Sequence, residues 1–522
     1  MNAAGGASQA DSRADRRMTP ADRRLIVVFA LLTILIHFLT NGAYGYFRDE
    51  LYFVACGQHL AWGYVDLPPM VAAIARLVRM TLGDSLFALR FFPALAGGAT
   101  VAIAGILAYE LGGGRFAEML AMVAVMTAPV FLALDNILTI NAFDPIFWMG
   151  CVWALIRTVK SENPRWWLVF GLSAGLGLEN KESMLFLGAA LLIGVMLTPQ
   201  RRVLFNRWFL LGELVALLIA MPTGVWQATH GFPMYVELHN VKASAKNAPL
   251  TWLGFLGAQI LYFLPLSLPI WVSGLYFLFA SEQGRRFRAI GWAYVLLYAA
   301  FVMLKGKAYY IVPIFPVLFA AGSVQLENVS RWGWRQSVRY GLPVAVLMGG
   351  LIAAPMAIPV LPVETFIKYE HLLGAKPVAT ETRRTADLPQ NYADMFGWPE
   401  MVATVAKVYW NLPPSERSEA AIFASNYGEA AAIDFFGPRY GLPKAISGHM
   451  NYYLWGSRQY TGQVLIAITF REQQLHRVFD TVEKVAKVGT RYSMPDEHVD
   501  IFVCRDPKIS IRRWWPLVRS YR

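Results

Sequence analysis

Tyr44-Gly-Tyr-Phe-Arg-Asp-Glu-Leu-Tyr52 follows directly on a first apolar run, residues 25–39, and sets two adjacent carboxylates, Asp49 and Glu50, at the edge of that run. Charged side chains at a bilayer edge are costly to hold and mark functional positions. The acidic pair opens a long aromatic-rich segment that extends to Asp84. That placement suits chemistry on a substrate delivered at a membrane surface. The competing structural reading is a cap, because acids favour a helix N-terminus.

The rest of the chain supports a membrane setting. Of its 522 residues 56% are hydrophobic, 14% aromatic and only 16% charged, and the mean hydropathy is +0.40. The apolar residues fall in runs near the roughly 20 residues that a spanning helix requires. Eleven such runs are expected as helices: 24–41, 86–111, 115–134, 143–160, 165–179, 183–198, 207–226, 252–280, 288–304, 308–326 and 340–361. Pro265 and Pro269 predict a kink in the eighth. Residues 1–24 are polar and Arg-rich with no cleavage site behind the next run, so they read as a retained signal anchor.

Charge orients these spans. Alternating the sides leaves eighteen Lys and Arg on one side and eight on the other, where the loops are longer in total. The basic excess puts the N-terminus in the cytoplasm, and an odd number of spans then puts the tail and the Asp49 loop outside. The formal charge of +12 lies mainly in these short loops, so a nucleic-acid partner is not implied. Cys56, Cys151 and Cys504 show neither metal spacing nor a disulfide framework.

The organisation read here is a basic cytoplasmic N-terminus (1–23), a membrane module (24–362) with its first outer loop at 42–85, and an external α/β domain (363–522). In that tail, strand-like runs at 420–424, 464–470 and 498–504 alternate with helix-like stretches at 399–410, 428–436 and 472–488. In the first outer loop, residues 51–62 and 71–82 read as amphipathic helices lying in the headgroup plane, separated by the turn Gly63-Tyr-Val-Asp-Leu-Pro-Pro-Met70.

Three further groups lie on the outer side. The first is Asp135 with Asp144-Pro145, where the second acid has a helix-start reading. Glu179-Asn-Lys-Glu182 is the second, with a self-neutralising hairpin as its alternative. In the third, Lys305-Gly-Lys-Ala-Tyr-Tyr310, Lys307 is placed to hold a phosphate as a point charge beside the hydroxyls of Tyr309 and Tyr310. His37 reads as packing, His239 and Lys242 as peripheral, and Gly112-Gly-Gly114 as a turn.

Together these residues resemble the GT-C superfamily of integral-membrane glycosyltransferases. Within it, the chain is most similar to bacterial members of the glycosyltransferase 39 group, relatives of protein O-mannosyltransferases and of the aminoarabinose transferase acting on lipid A. The segment from Arg48-Asp-Glu-Leu-Tyr52 to Pro69 carries the resemblance most specifically. Residues 307–316, Ala424-Ser-Asn-Tyr-Gly-Glu429 and Ser447-Gly-His-Met-Asn-Tyr-Tyr-Leu-Trp455 add to it.

The resemblance implies an inverting transfer at the outer face of the bacterial inner membrane. The sugar comes from a polyprenyl-phosphate-linked donor and goes to an envelope glycolipid, polysaccharide or protein. It implies Asp49 as the catalytic carboxylate, with Glu50 beside it. Asp66, Asp135, Asp144, Lys181, Lys307, Tyr309 and Tyr310 are then expected to bind substrate. Asp49, Glu50, Asp135 and Asp144 are the oxygen donors available to a divalent cation, and metal dependence is left open. The alternatives are a proton-coupled transporter or lipid-carrier flippase, and a scaffold whose tail recruits partners. The tail reads equally as a grip on the acceptor or as a lid.

Overall fold

The computed structural model describes residues 17–244, 250–330, 336–374, 387–469 and 471–522. Arg13, Arg16, Lys246, Arg331 and Arg335, which entered the charge count, lie outside the described residues. Contacts divide the chain into two compact units. The first comprises residues 1–42, 90–223 and 249–361; the second comprises 43–89, 224–248 and 362–522. The protein is a polytopic helical membrane protein carrying a small mixed sheet near its C-terminus.

In the first unit each expected span corresponds to helix. Among the described residues seven helices are long and apolar enough to cross a membrane, or eight if one bent pair counts as a single span. The count falls below eleven for a local reason. Pro129 separates Arg115–Met126 from Pro129–Leu134, while Trp166–Asn180 and Met184–Met196 have only 15 and 13 residues. The kink expected from Pro265 is a 95° bend between Trp252–Tyr262 and Pro265–Ala280. A proline cannot donate the backbone bond that would carry the helix through.

Helix starts follow their capping residues. Thr19 and Asp22 form a reciprocal capping box on Pro20–Thr40, with Thr19 N–H donating to Asp22 at 2.9 Å. Thr139 caps Ile140–Ser161, so that helix begins earlier than the Asp144-Pro145 start expected from sequence, and Pro145 lies inside it. Small residues set the closest packing. A Cβ on Gly274 would meet the Leu318 carbonyl, and one on Gly322 would meet that of Ile270, so Leu268–Ala280 and Phe315–Val329 touch backbone to backbone.

The second unit contains the helices Arg48–Gln58 and Met70–Thr81 and a five-stranded sheet. Its strands are β1 (Ala420–Ala424), β2 (Ile446–Ser447), β3 (Val464–Thr469), β4 (Phe479–Lys487) and β5 (Asp500–Pro507), in the order β2-β1-β3-β5-β4. β1 pairs in parallel with β2 and β3, and β5 runs antiparallel to β3 and β4. The central strand β3 is buried at every position, as an element covered on both faces must be.

One expectation for the tail is overturned. Residues 472–488, read as helix, form only a short helix at Glu472–His476 and then strand β4. β4 is an edge strand whose charged residues are exposed while Phe479 is buried, and its Glu/Lys content imitates an amphipathic helix. Phe470, the expected end of β3, lies outside the described residues.

The glycine contact gives a stability test. Gly322→Val should lower the thermal midpoint in detergent, at a cost of about 1–3 kcal/mol from overpacking. Gly188→Ala, where an added Cβ meets nothing within 4 Å, should leave the midpoint unchanged.

Candidate active site

Asp49 and Glu50 are neighbours in sequence with different surroundings. Glu50 is fully buried, and its Oε2 accepts the Phe47 backbone N–H at 2.8 Å, capping the helix Arg48–Gln58. The capping alternative therefore describes Glu50. Asp49 faces elsewhere: its side chain is 33% exposed, and its Oδ1 lies 3.4 Å from Arg48 Nε. The same oxygen accepts the Tyr427 hydroxyl at 2.8 Å.

Tyr427 opens the helix Tyr427–Phe436, which Asn426 caps by accepting the Glu429 N–H at 2.9 Å. Its ring is held between Tyr52, with centroids 4.4 Å apart, and His449, at 5.0 Å. The Arg48 guanidinium lies 5.5 Å from the centre of the same ring. Burial holds the Tyr427 phenol well above its ordinary pKa, so it remains a proton donor to Asp49. Gly428 is required here, because a Cβ would lie 2.5 Å from Arg48 Cγ.

Asp66 is fastened a short way off. Its Oδ1 accepts from the Tyr52 hydroxyl at 2.8 Å and from Asn451 Nδ2 at 3.2 Å. Asn451 also donates to the Tyr52 hydroxyl and accepts the Val65 N–H at 3.0 Å. Burial, reinforced by the negative charges of Glu237 and Asp49, pushes the Asp66 carboxyl up to about 7. Asp66 is thus poised to exchange a proton near neutral pH, one hydrogen bond from Tyr52, whose ring stacks on Tyr427.

In the first unit a second constellation forms around Lys181, at the end of the helix Trp166–Asn180. Its Nζ donates to Asn141 Oδ1 at 2.8 Å and lies 3.8 Å from Asp144 Oδ2. It also stands over the Tyr310 ring at 4.8 Å and the Tyr309 ring at 5.7 Å. Lys307 Nζ lies 5.9 Å from the centre of the Tyr309 ring. Ser183 donates to Asp144 at 2.9 Å. The self-neutralising hairpin is not what forms: Glu179 accepts the Thr223 hydroxyl at 2.9 Å, and Lys181 turns to Asp144.

The structure thus brings Asp144, Lys181, Lys307, Tyr309 and Tyr310 together around two aromatic rings. Asp135 is not among these contacts. It is buried against Gly97, where a Cβ would lie 2.6 Å from its Oδ2, and it forms no ion pair among the described residues. Burial raises its carboxyl well above the usual range. Among the described residues no cluster of three His, Cys, Asp or Glu side chains is placed to hold a metal ion. Sequence reasoning missed Arg48, Tyr52 and Asn451 as partners of the acids. The signal was present in the motifs around Tyr427 and Asn451.

Comparisons with known proteins agree with this architecture. A family model described as dolichyl-phosphate-mannose-protein mannosyltransferase matches residues 66–226. The lipid A galacturonosyltransferase RgtD of Rhizobium johnstonii is 25% identical over 221 residues, 41% of this chain. The match spans 45% of that relative's own length. ArnT from Cupriavidus metallidurans, solved bound to undecaprenyl phosphate, superposes with a TM-score of 0.59 at 14% identity, covering 92% of this chain and 97% of ArnT. The apo form gives 0.60 at 15% identity, covering 92% and 98%. The mycobacterial arabinofuranosyltransferase AftD gives 0.51 at 14% identity, covering 94% of this chain and 40% of AftD. At these identities the structures establish the fold. It is the GT-C fold, and the resemblance to that superfamily is borne out.

The raised Asp66 pKa has a sign that can be tested. A carboxyl moved from 3.8 to about 7 binds its proton more tightly in the folded chain. Its contribution to stability is therefore present at low pH and is lost as pH rises from about 4 through about 7. Asp66→Asn removes that dependence. The thermal midpoint of Asp66→Asn minus that of the wild type should rise steadily across this window; a flat difference would refute the assignment.

Proposed function

We propose that this chain transfers a sugar from a polyprenyl-phosphate-linked donor to an envelope acceptor, with inversion, on the non-cytoplasmic side of the bacterial inner membrane. The observation that carries the reading is the environment of Asp49, a partly exposed carboxylate on a GT-C fold whose orientation is fixed by Tyr427 and Arg48. In this reading Asp49 accepts the proton of the acceptor hydroxyl as that oxygen attacks the anomeric carbon. The bond from that carbon to the carrier phosphate breaks as the new glycosidic bond forms.

The departing phosphate carries growing negative charge, which fixed cations stabilise. We assign that task to Lys181 and Lys307, with Tyr309 and Tyr310 as the aromatic bed that holds both ammonium groups. Asp144 and Asn141 orient Lys181. Glu50 is assigned as the cap that fixes the Asp49 backbone, Asp66 and Asn451 as the support behind Tyr52, and Asp135 as a buried structural acid. ArnT was solved with undecaprenyl phosphate and RgtD is named a lipid A transferase. Both favour a polyprenyl-phosphate donor and a glycolipid acceptor of the lipid A kind. The GT-C fold weighs against the transporter alternative.

The test is complementation of a host lacking the chain, read by mass spectrometry of its lipid A and envelope glycans. Asp49→Asn should reach wild-type levels in the membrane yet lose transfer by about 10²–10⁴-fold, the usual worth of a positioned base. Tyr427→Phe should cost about tenfold, the value of one hydrogen bond to a charged group. Lys181→Ala and Lys307→Ala should each slow transfer without loss of protein. Wild-type glycan profiles from Asp49→Asn would overturn the mechanism.

A further inference from the structure

The second unit contains a cavity of about 1120 Å³ that the reaction above leaves unused. Its position follows from topology. β1 lies in the middle of the parallel part of the sheet; the chain leaves it to form β2 on one side and returns to form β3 on the other. Open sheets bind ligands at such a reversal, outside the carboxyl ends of the strands. The cavity opens there, lined by Ser425 after β1, Gly448 after β2 and Thr469 at the end of β3. The segment 517–522 closes one wall, with Ser520 bridged to His449. Gly448 lets it approach, because a Cβ there would meet the Val518 carbonyl.

The lining selects a class of ligand. Side chains of Arg471, Arg519 and Arg522, amides of Asn240 and Gln474, and carboxylates of Asp496 and Glu497 surround a floor that includes Phe423 and Trp514. A hydrocarbon would strip water from these polar groups and offer no hydrogen bond in return, which is expensive. A simple anion would face two carboxylates. A hydroxyl both donates and accepts, so it can meet all three kinds of group. Sugar rings carry many hydroxyls together with apolar C–H faces for the aromatic floor. The volume exceeds the ~300–1,000 Å³ of ordinary small-molecule sites, leaving room for several rings.

The cavity also adjoins Asp49 through one stacked pair. His449 lines it, and the His449 ring stacks on Tyr427, whose hydroxyl donates to Asp49. His449 Nδ1 accepts the Tyr427 N–H at 3.2 Å, which leaves Nε2 as the protonated nitrogen of a neutral ring, donating to the Arg522 carbonyl at 2.9 Å. We propose that this cavity binds the saccharide portion of the acceptor and so holds it beside the layer that orients Asp49. The assignment of an acceptor rests on the transfer reaction proposed above; the saccharide site itself does not.

The test uses the full chain in lipid nanodiscs, with empty nanodiscs as blank. The probe is the water-soluble core oligosaccharide released from lipopolysaccharide by mild acid, followed by saturation-transfer NMR. The wild type should bind it saturably, and inorganic phosphate should not displace it. Gln474→Ala combined with Arg519→Ala should weaken binding at least tenfold. Gln474 is exposed at the rim, so Gln474→Trp blocks the mouth without entering the core and should do the same with an unchanged melting temperature. In the transfer assay this variant should raise the acceptor KM at least tenfold and leave kcat near wild type. Asp49→Asn should bind the probe as the wild type does.

No saturable binding by the wild type, equal affinity in Gln474→Trp, or displacement by phosphate alone would overturn the proposal. Binding that depends on Gln474 in a chain that transfers nothing would uphold the saccharide site and sink the reaction instead.

Discussion

A guanidinium removed from water must be paired, and Arg48 is only 7% exposed. Its Nε reaches Asp49 at 3.4 Å and its Nη1 lies 3.8 Å from Asp394. Its backbone N–H donates to the Asp394 carbonyl at 3.1 Å, and its charge lies against the Tyr427 ring. Asp394 and Tyr427 lie 346 and 379 positions further along the chain, so burying this one cation ties the helix Arg48–Gln58 to the C-terminal α/β elements of the same unit. Removing one partner would leave an uncompensated buried charge, which is far costlier than losing an exposed pair. The orientation of Asp49 is a consequence of that arrangement.

Two adjacent acids then acquire different work from environment alone. The helix turns Glu50 inward, where its carboxylate accepts the Phe47 N–H, and turns Asp49 outward, where one oxygen is held by donors and solvent still reaches the side chain. A proton acceptor needs both conditions: access for substrate and a fixed direction. Asp66 shows the opposite limit. Buried, and facing Glu237 and Asp49, it keeps its proton to about pH 7. One short stretch of chain thus holds three carboxyl groups in three environments: one reached by solvent, one capping a helix and one buried.

Much of this was legible in the sequence where the physics is local. The apolar runs located the helices of the first unit, and Pro265 located the bend. The helix-like stretch at 428–436 corresponds to the helix Tyr427–Phe436. Local rules failed where distant partners decide the outcome. Nothing near Phe479 says that β5 will pair with it, and its Lys/Glu alternation fits a helix as well as an edge strand. Likewise the sequence offered Glu179 and Glu182 as partners of Lys181, whereas packing supplied Asp144 and Asn141 from another helix. Asp135 drew attention as an acid on the outer side between two expected spans, but the missing side chain of Gly97 makes room for it in the bundle.

The division of labour between the two units has a physical logic. Within a bilayer, backbone polar groups must be satisfied inside the helix, so a span can offer only a few side chains for chemistry. At the helix ends of the first unit, Lys181 and Lys307 with their two tyrosines offer a few fixed charges, which in the proposed reaction meet a phosphate whose shape hardly varies. Discriminating one saccharide from another asks for something else. A polar site rejects a ligand that lacks an expected hydroxyl because the site's own groups are then stranded, and that penalty reaches roughly 10⁴–10⁵ in favourable cases. Such a site needs many donors and acceptors at adjustable positions, which loops at the carboxyl edge of an α/β sheet provide and spanning helices do not. Here the cavity draws Asn240 from the helix Pro233–Ala243, Gln474 from the short helix Glu472–His476 and Arg519 from the segment after the last strand, none of them assigned to the proton or phosphate steps of the proposed reaction.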